Sequence, residues 1–158
     1  MGKKMNLHNR SIRFVTEFEK EKLKQFLVSI FGGDIQDLAN RYVECAFSND
    51  FRRPKFILAL DPDQNIVGAA AYSEELFTIG VWGISWVAVQ PDFRNQGIGY
   101  ALVEACLKNI SEEAARHVTV VLATYPGQTR LYEKIGFIDS GRDAEGGTIM
   151  LKLLGVYE

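Results

Sequence analysis

One stretch of the 158-residue sequence narrows the choice of folds more than any other. Trp86-Val87-Ala88-Val89 is β-branched strand material, Gln90-Pro91 breaks it, and Arg94-Asn95-Gln96-Gly97-Ile98-Gly99 opens a helical pattern. A strand that turns through a glycine loop into a helix gathers the loose amides of the first helical turn at the positive end of the helix dipole. That arrangement holds anions. Gly97 and Gly99 remove side chains that would keep a pyrophosphate off those amides, and Arg94 adds a cation at the rim.

Other phosphate loops fit poorly. The G-x-x-x-x-G-K-[ST] pattern of a P-loop occurs nowhere in the chain. The dinucleotide fingerprint G-x-G-x-x-G/A is half met, because Leu102 fills its last place. Residues 119–122 also offer no acid for a ribose.

The surrounding pattern alternates strands and helices. Ser11 to Val15 is a short strand, and Thr16 with Glu19 forms a T-x-x-E capping box. Leu23, Phe26, Leu27 and Ile30 then share one helix face. Gly32-Gly33 stops that helix, and Asp34 is the expected N-cap of the next, which carries an apolar stripe from Ile35 to Ala46. Lys55 to Leu60 and Ile66 to Tyr72 make a hairpin through a polar turn. A β-rich stretch runs from Ile79 to Val89, a helix from Gly97 to Ile110, and a buried strand from His117 to Ala123. A short helix spans Gln128 to Ile135, with Gly136 as its left-handed stop, and strands Phe137 to Gly141 and Thr148 to Leu154 finish the chain. The order predicts one α/β domain over residues 11–158, behind a flexible segment at residues 1–10. Its mixed sheet is antiparallel early, with a parallel pair across the helix from Gly97.

Composition closes off several classes. Hydrophobic residues make up 47% and the formal net charge is −2, so no global basic field draws nucleic acid or an anionic membrane. No apolar run nears the ~20 residues of a membrane span. Met1 to Arg10 is polar and lacks the apolar core of a secretory signal. Cys45 and Cys106 lie within apolar helical patterns and are expected as buried, reduced thiols; with His8 and His117 they make no zinc spacing. A cytoplasmic protein without a metal is expected, as monomer or homodimer.

Here a family resemblance emerges. Arg94-Asn95-Gln96-Gly97-Ile98-Gly99 resembles the [RQ]-x-x-G-x-[GA] signature of the GNAT superfamily of N-acetyltransferases, and Val87-Ala88-Val89-Gln90-Pro91 resembles its preceding strand. Leu131-Tyr132-Glu133-Lys134-Ile135-Gly136-Phe137 resembles the family's L-Y-x-x-x-G-F segment, in the right order. Element order carries the likeness from Ile12 to Leu154. The resemblance implies a bulged strand ending near Val89 that splays from the strand near Ala123, with acetyl-CoA in the cleft. The backbone of Val87 and Val89 would bond the pantetheine arm, and the amides of Asn95, Gln96, Gly97, Ile98, Gly99 and Tyr100 the pyrophosphate. Tyr125 stands beside the pantetheine where the family often has Asn, and Gln128 where it often has a small residue.

Acetyl transfer needs a neutral amine, a donor for the developing oxyanion and a proton for the leaving thiolate. By resemblance Tyr132 is the general acid, and the amide of Ala88 or Val89 the oxyanion donor. Some relatives carry a basic glutamate on the strand before the loop, but Val81 to Trp86 contains no acid. Glu74 and Glu75, just upstream, are the nearest carboxylates, as base or as amine-binding groups. Tyr72, Phe77, Trp82 and Trp86 could add an aromatic wall for an ammonium group, although alternation must turn at least two of them into the core. Asp34, Asp37 and Glu44 add acid around the first two helices, which in this family often wall the acceptor site. Two other functions compete with a transferase. One is a module that binds acetyl-CoA or CoA without turnover, and the other a nucleotide-binding α/β domain.

Overall fold

The structure is a computed structural model and describes residues 11–76 and 78–155. The expected flexible segment at residues 1–10 lies outside the described residues, as does Phe77. Seven strands form one sheet: β1 (Ser11–Phe14), β2 (Lys55–Leu60), β3 (Ile66–Glu74), β4 (Val81–Val89), β5 (Val118–Thr124), β6 (Ile138–Arg142) and β7 (Thr148–Leu154). Their order is β1-β2-β3-β4-β5-β7-β6. All neighbours are antiparallel except β4 and β5, which the helix α3 (Ile98–Ala114) joins as a parallel pair. The expected α/β sheet with its one parallel pair is therefore present.

Helices cover both faces. The larger cluster packs α3 and α4 (Arg130–Ile135) on the face of Tyr72, Trp82 and Ile84. The second packs α1 (Lys20–Phe31) and α2 (Gln36–Ala46) on the face of Phe56, Leu58 and Ala71. Covered on both sides, β2 and the middle of β3 are apolar without alternation. A small residue sets the height of α3. A Cβ on Gly68 would stand 2.9 Å from Ile98 Cγ2 and from Leu102 Cδ1, so the first turn of α3 rests directly on β3.

Two local expectations fail. Asp34 does not cap α2; Gly33–Ile35 forms a 3-10 turn and Ile35 takes the N-cap place. The turn advances the helix start, so Asp34 falls one residue too early to reach the first free amides. Cys45 is exposed rather than buried, because Ala39, Val43 and Ala46 make up the core side of α2 and Cys45 falls off that stripe. Cys106 is buried as expected, and burial pushes its thiol up to about 12.

The Thr16–Glu19 capping box is present and opens the chain toward α1. The Thr16 amide donates to Glu19 Oε2 at 3.0 Å, and Thr16 Oγ1 and Arg13 also donate to that carboxylate. Burial pushes the Glu19 carboxyl up, but these hydrogen bonds outweigh it and hold it below its ordinary 4.5. A depressed folded value stabilises the fold above the unfolded value and loses that effect as pH falls through the folded one. Glu19→Gln should therefore cost about 1–3 kcal/mol at neutral pH. In thermal melts the gap from the parent should close below the ordinary carboxyl value of 4.5.

Candidate active site

The centre of the sheet is open along one line. β4 and β5 pair only at Val81–Thr119, Trp82–Val120 and Gly83–Val121. Beyond Gly83, β4 stays on β3 as far as Val89, while β5 runs on against β7 to Thr124. The facing edges of residues 84–89 and 122–124 thus separate, leaving main-chain donors and acceptors without a sheet neighbour. Such an edge takes an extended amide-bearing ligand as an added strand takes its partner.

A bulge at this point directs the β4 backbone. Ser85 faces Ala71 and Ala88 faces Ala69, so Trp86 and Val87 together oppose Ala70. Trp86 has φ 55, a left-handed conformation that costs a non-glycine residue roughly 1–2 kcal/mol. Its indole is gripped edge-on by Phe31 from the end of α1 and Tyr42 from α2, each at 5.4 Å between centroids. Below the bulge the alternation is fixed. The Gln90 amide donates to the Val67 carbonyl at 2.8 Å, so Val89 turns its own N–H and C=O away from β3, toward the cleft. Arg94 Nε confirms that direction by donating to the Val89 carbonyl at 3.2 Å. The same alternation faces the main-chain groups of Val87 into the cleft and those of Ala88 toward β3.

The loop that follows ends in Gly97, whose φ of 78 is left-handed. The first helical bond of α3 runs from the Ala101 amide to the Gly97 carbonyl at 3.0 Å, so the amides of Ile98, Gly99 and Tyr100 precede the ladder. Asn95 is left-handed as well, with φ 60, and Arg94 and Tyr100 are exposed at the rim. Gly99 has a second reason for being glycine. A Cβ there would stand 3.3 Å from Leu131 Cδ2 and 3.7 Å from Val89 Cγ2, so the residue lets α4 close against the loop.

Tyr132 lies on α4, and its ring meets Phe137 edge-on at 6.0 Å. Gly136 is left-handed, and the Phe137 amide returns to the Tyr132 carbonyl at 2.9 Å, fixing this short helix at its end. The residue is 8% exposed, and among the described residues its hydroxyl has no hydrogen-bond partner. Burial, with a smaller contribution from Cys106, pushes its pKa up to about 12.

A family profile of the acetyltransferase (GNAT) domain matches residues 17–151. The chain belongs to the GNAT acetyltransferase family. Solved GNAT structures share its fold. A GCN5-related N-acetyltransferase from Kribbella flavida aligns with a TM-score of 0.75 at 17% identity, over 94% of this chain and 100% of that one. A GNAT-family acetyltransferase from Brucella melitensis in complex with acetyl-CoA gives 0.70 at 21% identity, over 94% and 90%. The Escherichia coli GNAT-family N-acetyltransferase YhbS in complex with CoA gives 0.70 at 18%, over 92% and 81%. No curated protein matches the chain by sequence. No helix of the described residues is long and apolar enough to cross a membrane.

Within this GNAT fold the sequence-predicted residues do not all converge. Val87, Val89 and the 94–100 loop surround the mouth of the cleft, with Tyr132 on the helix beyond its far edge. Tyr125 is 60% exposed and begins a turn in which Gly127 is left-handed and the Gln128 amide bonds the Tyr125 carbonyl at 3.1 Å. Glu74 and Glu75 lie at the other end of β4 from the glycine loop, where Glu74 faces Trp82. With Phe51 and Ile79 they line an open hollow of about 330 Å³. Of the proposed aromatic wall, Tyr72 and Trp82 are core and only Trp86 turns to the α1–α2 side; Phe77 lies outside the described residues. Glu44 does not face an acceptor as a free acid, because Lys20 and Lys24 hold it at 2.8 and 2.6 Å. Sequence reasoning missed Phe31 and Tyr42, which touch the site only through the bulge at Trp86.

Proposed function

We propose that this chain transfers the acetyl group of acetyl-CoA directly to a primary amine, on a small molecule or on a protein or peptide. The observation that carries this is the opening of the sheet between β4 and β5, with a buried tyrosine hydroxyl on α4 that has no hydrogen-bond partner among the described residues. The residues fit acetyl-CoA. The cleft edge at Val87 and Val89 supplies main-chain partners for the two amides of pantetheine. The amides of Ile98, Gly99 and Tyr100, with exposed Arg94, suit a pyrophosphate. Tyr125, exposed just past the end of β5, would cover the arm from outside. A reducing cytoplasm suits the free thiols Cys45 and Cys106.

The chemistry follows from these placements. The thioester offers an activated acetyl group, and an ammonium ion must first give up a proton, which Glu75 takes through water. The amine nitrogen bonds the carbonyl carbon while the Val89 amide donates to the carbonyl oxygen, where negative charge develops. The carbon–sulfur bond breaks and Tyr132 gives its proton to the departing sulfur. The proton that nitrogen sheds on becoming an amide restores Tyr132 through solvent, and the Glu75 proton is released, one per turnover.

The Tyr132 hydroxyl carries its proton when the sulfur departs. Burial pushes it up to about 12, so it stays protonated through the neutral range and can donate to the thiolate. Calorimetric titration tests the binding half of the proposal: acetyl-CoA should bind at one site per chain, and NAD or ATP should not displace it. Tight NAD or ATP binding with none of acetyl-CoA would replace this function with that of a nucleotide-binding domain.

A further inference from the structure

Gly83 is the last β4 residue still paired with β5, so it marks the point where the cleft begins. It also lacks the one side chain that the fold would otherwise put there. A Cβ built on Gly83 would clash with Glu75 Oε1 and stand 3.4 Å from its Cδ and 3.8 Å from its Cγ. The carboxylate of Glu75 lies in the space that any other residue at 83 would fill. The main chain holds it in register, for the Glu75 amide donates to the Val81 carbonyl at 2.9 Å and continues the β3–β4 ladder past Ser73–Gly83 and Glu74–Trp82.

The ladder also separates the two acids. Opposed residues of an antiparallel pair share a face. Glu74 therefore shares the face of Trp82, which is buried in the α3 cluster, and Glu75 the face of Gly83. That second face belongs to the α1–α2 cluster, where Trp86 meets Phe31 and Tyr42 at the bulge. Glu75 is thus on the sheet face opposite the α3–α4 cluster that holds Tyr132, and Glu74 is on the same face as that cluster. Arg52 and Glu74 are the charged neighbours around the same hollow.

We propose that Gly83 is a positioning residue for acetyl transfer: its missing side chain seats the Glu75 carboxylate at the opening of the cleft. This rests on the transferase function above and names which glutamate serves it. The carboxylate reaches the strand from the neighbouring connection instead of from a strand side chain. That accounts for a functional acid in a chain whose β4 has none.

Moving the carboxylate tests the seat. Turnover number, Michaelis constant for the amine and acetyl-CoA affinity are measured for the parent, Glu75→Gln, Gly83→Ala, and the double variant Glu75→Gln with Gly83→Glu. Glu75→Gln and Gly83→Ala should each lower the turnover number on the order of 10²-fold with acetyl-CoA affinity unchanged. The double variant returns a carboxylate to the opening of the cleft, now borne by β4 itself, and should regain at least about tenfold over Glu75→Gln, a rescue that a merely structural glycine would not give. A double variant no faster than Glu75→Gln, or a Glu75→Gln variant as fast as the parent, overturns the proposal, whether or not Gly83→Ala folds. A parent that binds acetyl-CoA but acetylates no amine fails differently, overturning the transferase function itself and this inference with it.

Discussion

Tyr132→Phe lowers the turnover number by roughly 10²- to 10⁴-fold, the usual effect of losing a general acid, and leaves acetyl-CoA affinity within a few-fold of the parent. The ring is what packs. It meets Phe137 edge-on and closes the cluster around Cys106 and Ile135, and phenylalanine keeps all of that. Removing the hydroxyl also removes a buried polar group without a partner among the described residues, so the variant should melt no lower than the parent. The pH profile adds a second reading of the same group. A tyrosine held at about 12 stays protonated through the whole working range, so no alkaline fall in turnover below about pH 10 should trace to it. Steady-state kinetics with chemistry rate-limiting decide the matter; an unchanged turnover number removes Tyr132 from the mechanism.

Gly97→Val is the second large effect and acts on binding. The residue sits at φ 78 as the N-cap of α3, with no neighbour within 4 Å of a built Cβ, so space is not the obstacle. Conformation is. A β-branched residue in the left-handed region costs at least about 1–2 kcal/mol, and relieving that strain rotates the amides of Ile98 and Gly99 off the pyrophosphate. Each charge-assisted hydrogen bond lost is worth about 1.5–3 kcal/mol, so affinity for acetyl-CoA should fall on the order of 10²-fold or more. Gly33→Ala, at an exposed glycine with an open Cβ position and an ordinary φ, serves as the control and should bind like the parent. Gly99→Val is a less clean test, since its side chain would strike Leu131 and loosen α4 along with the loop. Calorimetry on folded protein reads both, and parent-like affinity in Gly97→Val would put the pyrophosphate elsewhere.

What the sequence disclosed and what it hid divide by distance along the chain. The glycine loop, the Thr16–Glu19 box and the Gly136 stop are all settled within a few residues, and each is in place. Element boundaries moved where tertiary packing extended them. The helix at Gly97 runs on to Ala114 because Ile110 still reaches the core, and β3 continues to Glu74 because β4 pairs with it that far. The separation of β4 from β5 entered only through family resemblance. The register that sets where it starts depends on residues almost 40 apart, Gly83 and Val121, and no local pattern encodes it. Trp86 gave no sign of its left-handed backbone, which exists because Phe31 and Tyr42 arrive from two helices to hold it. Gly83 was the readable signal that went unused. A glycine inside a strand often marks the close approach of another group. Here that group is Glu75, which sequence reasoning named without seeing that it differs from Glu74 in the face it occupies.

The central claim is transfer to an amine, and one assay addresses it directly. The purified chain is incubated with acetyl-CoA labelled in the acetyl group and a panel of primary amines, from small polyamines and aminosugars to lysine-bearing and free N-terminal peptides. Free thiol and labelled amine product are followed together. At least one amine should release thiol and gain label in equal amounts, at a rate that saturates with amine and falls in Tyr132→Phe. Saturable acetyl-CoA binding with no amine-dependent thiol release across the panel would contradict a transferase and leave a module that binds the thioester without turning it over.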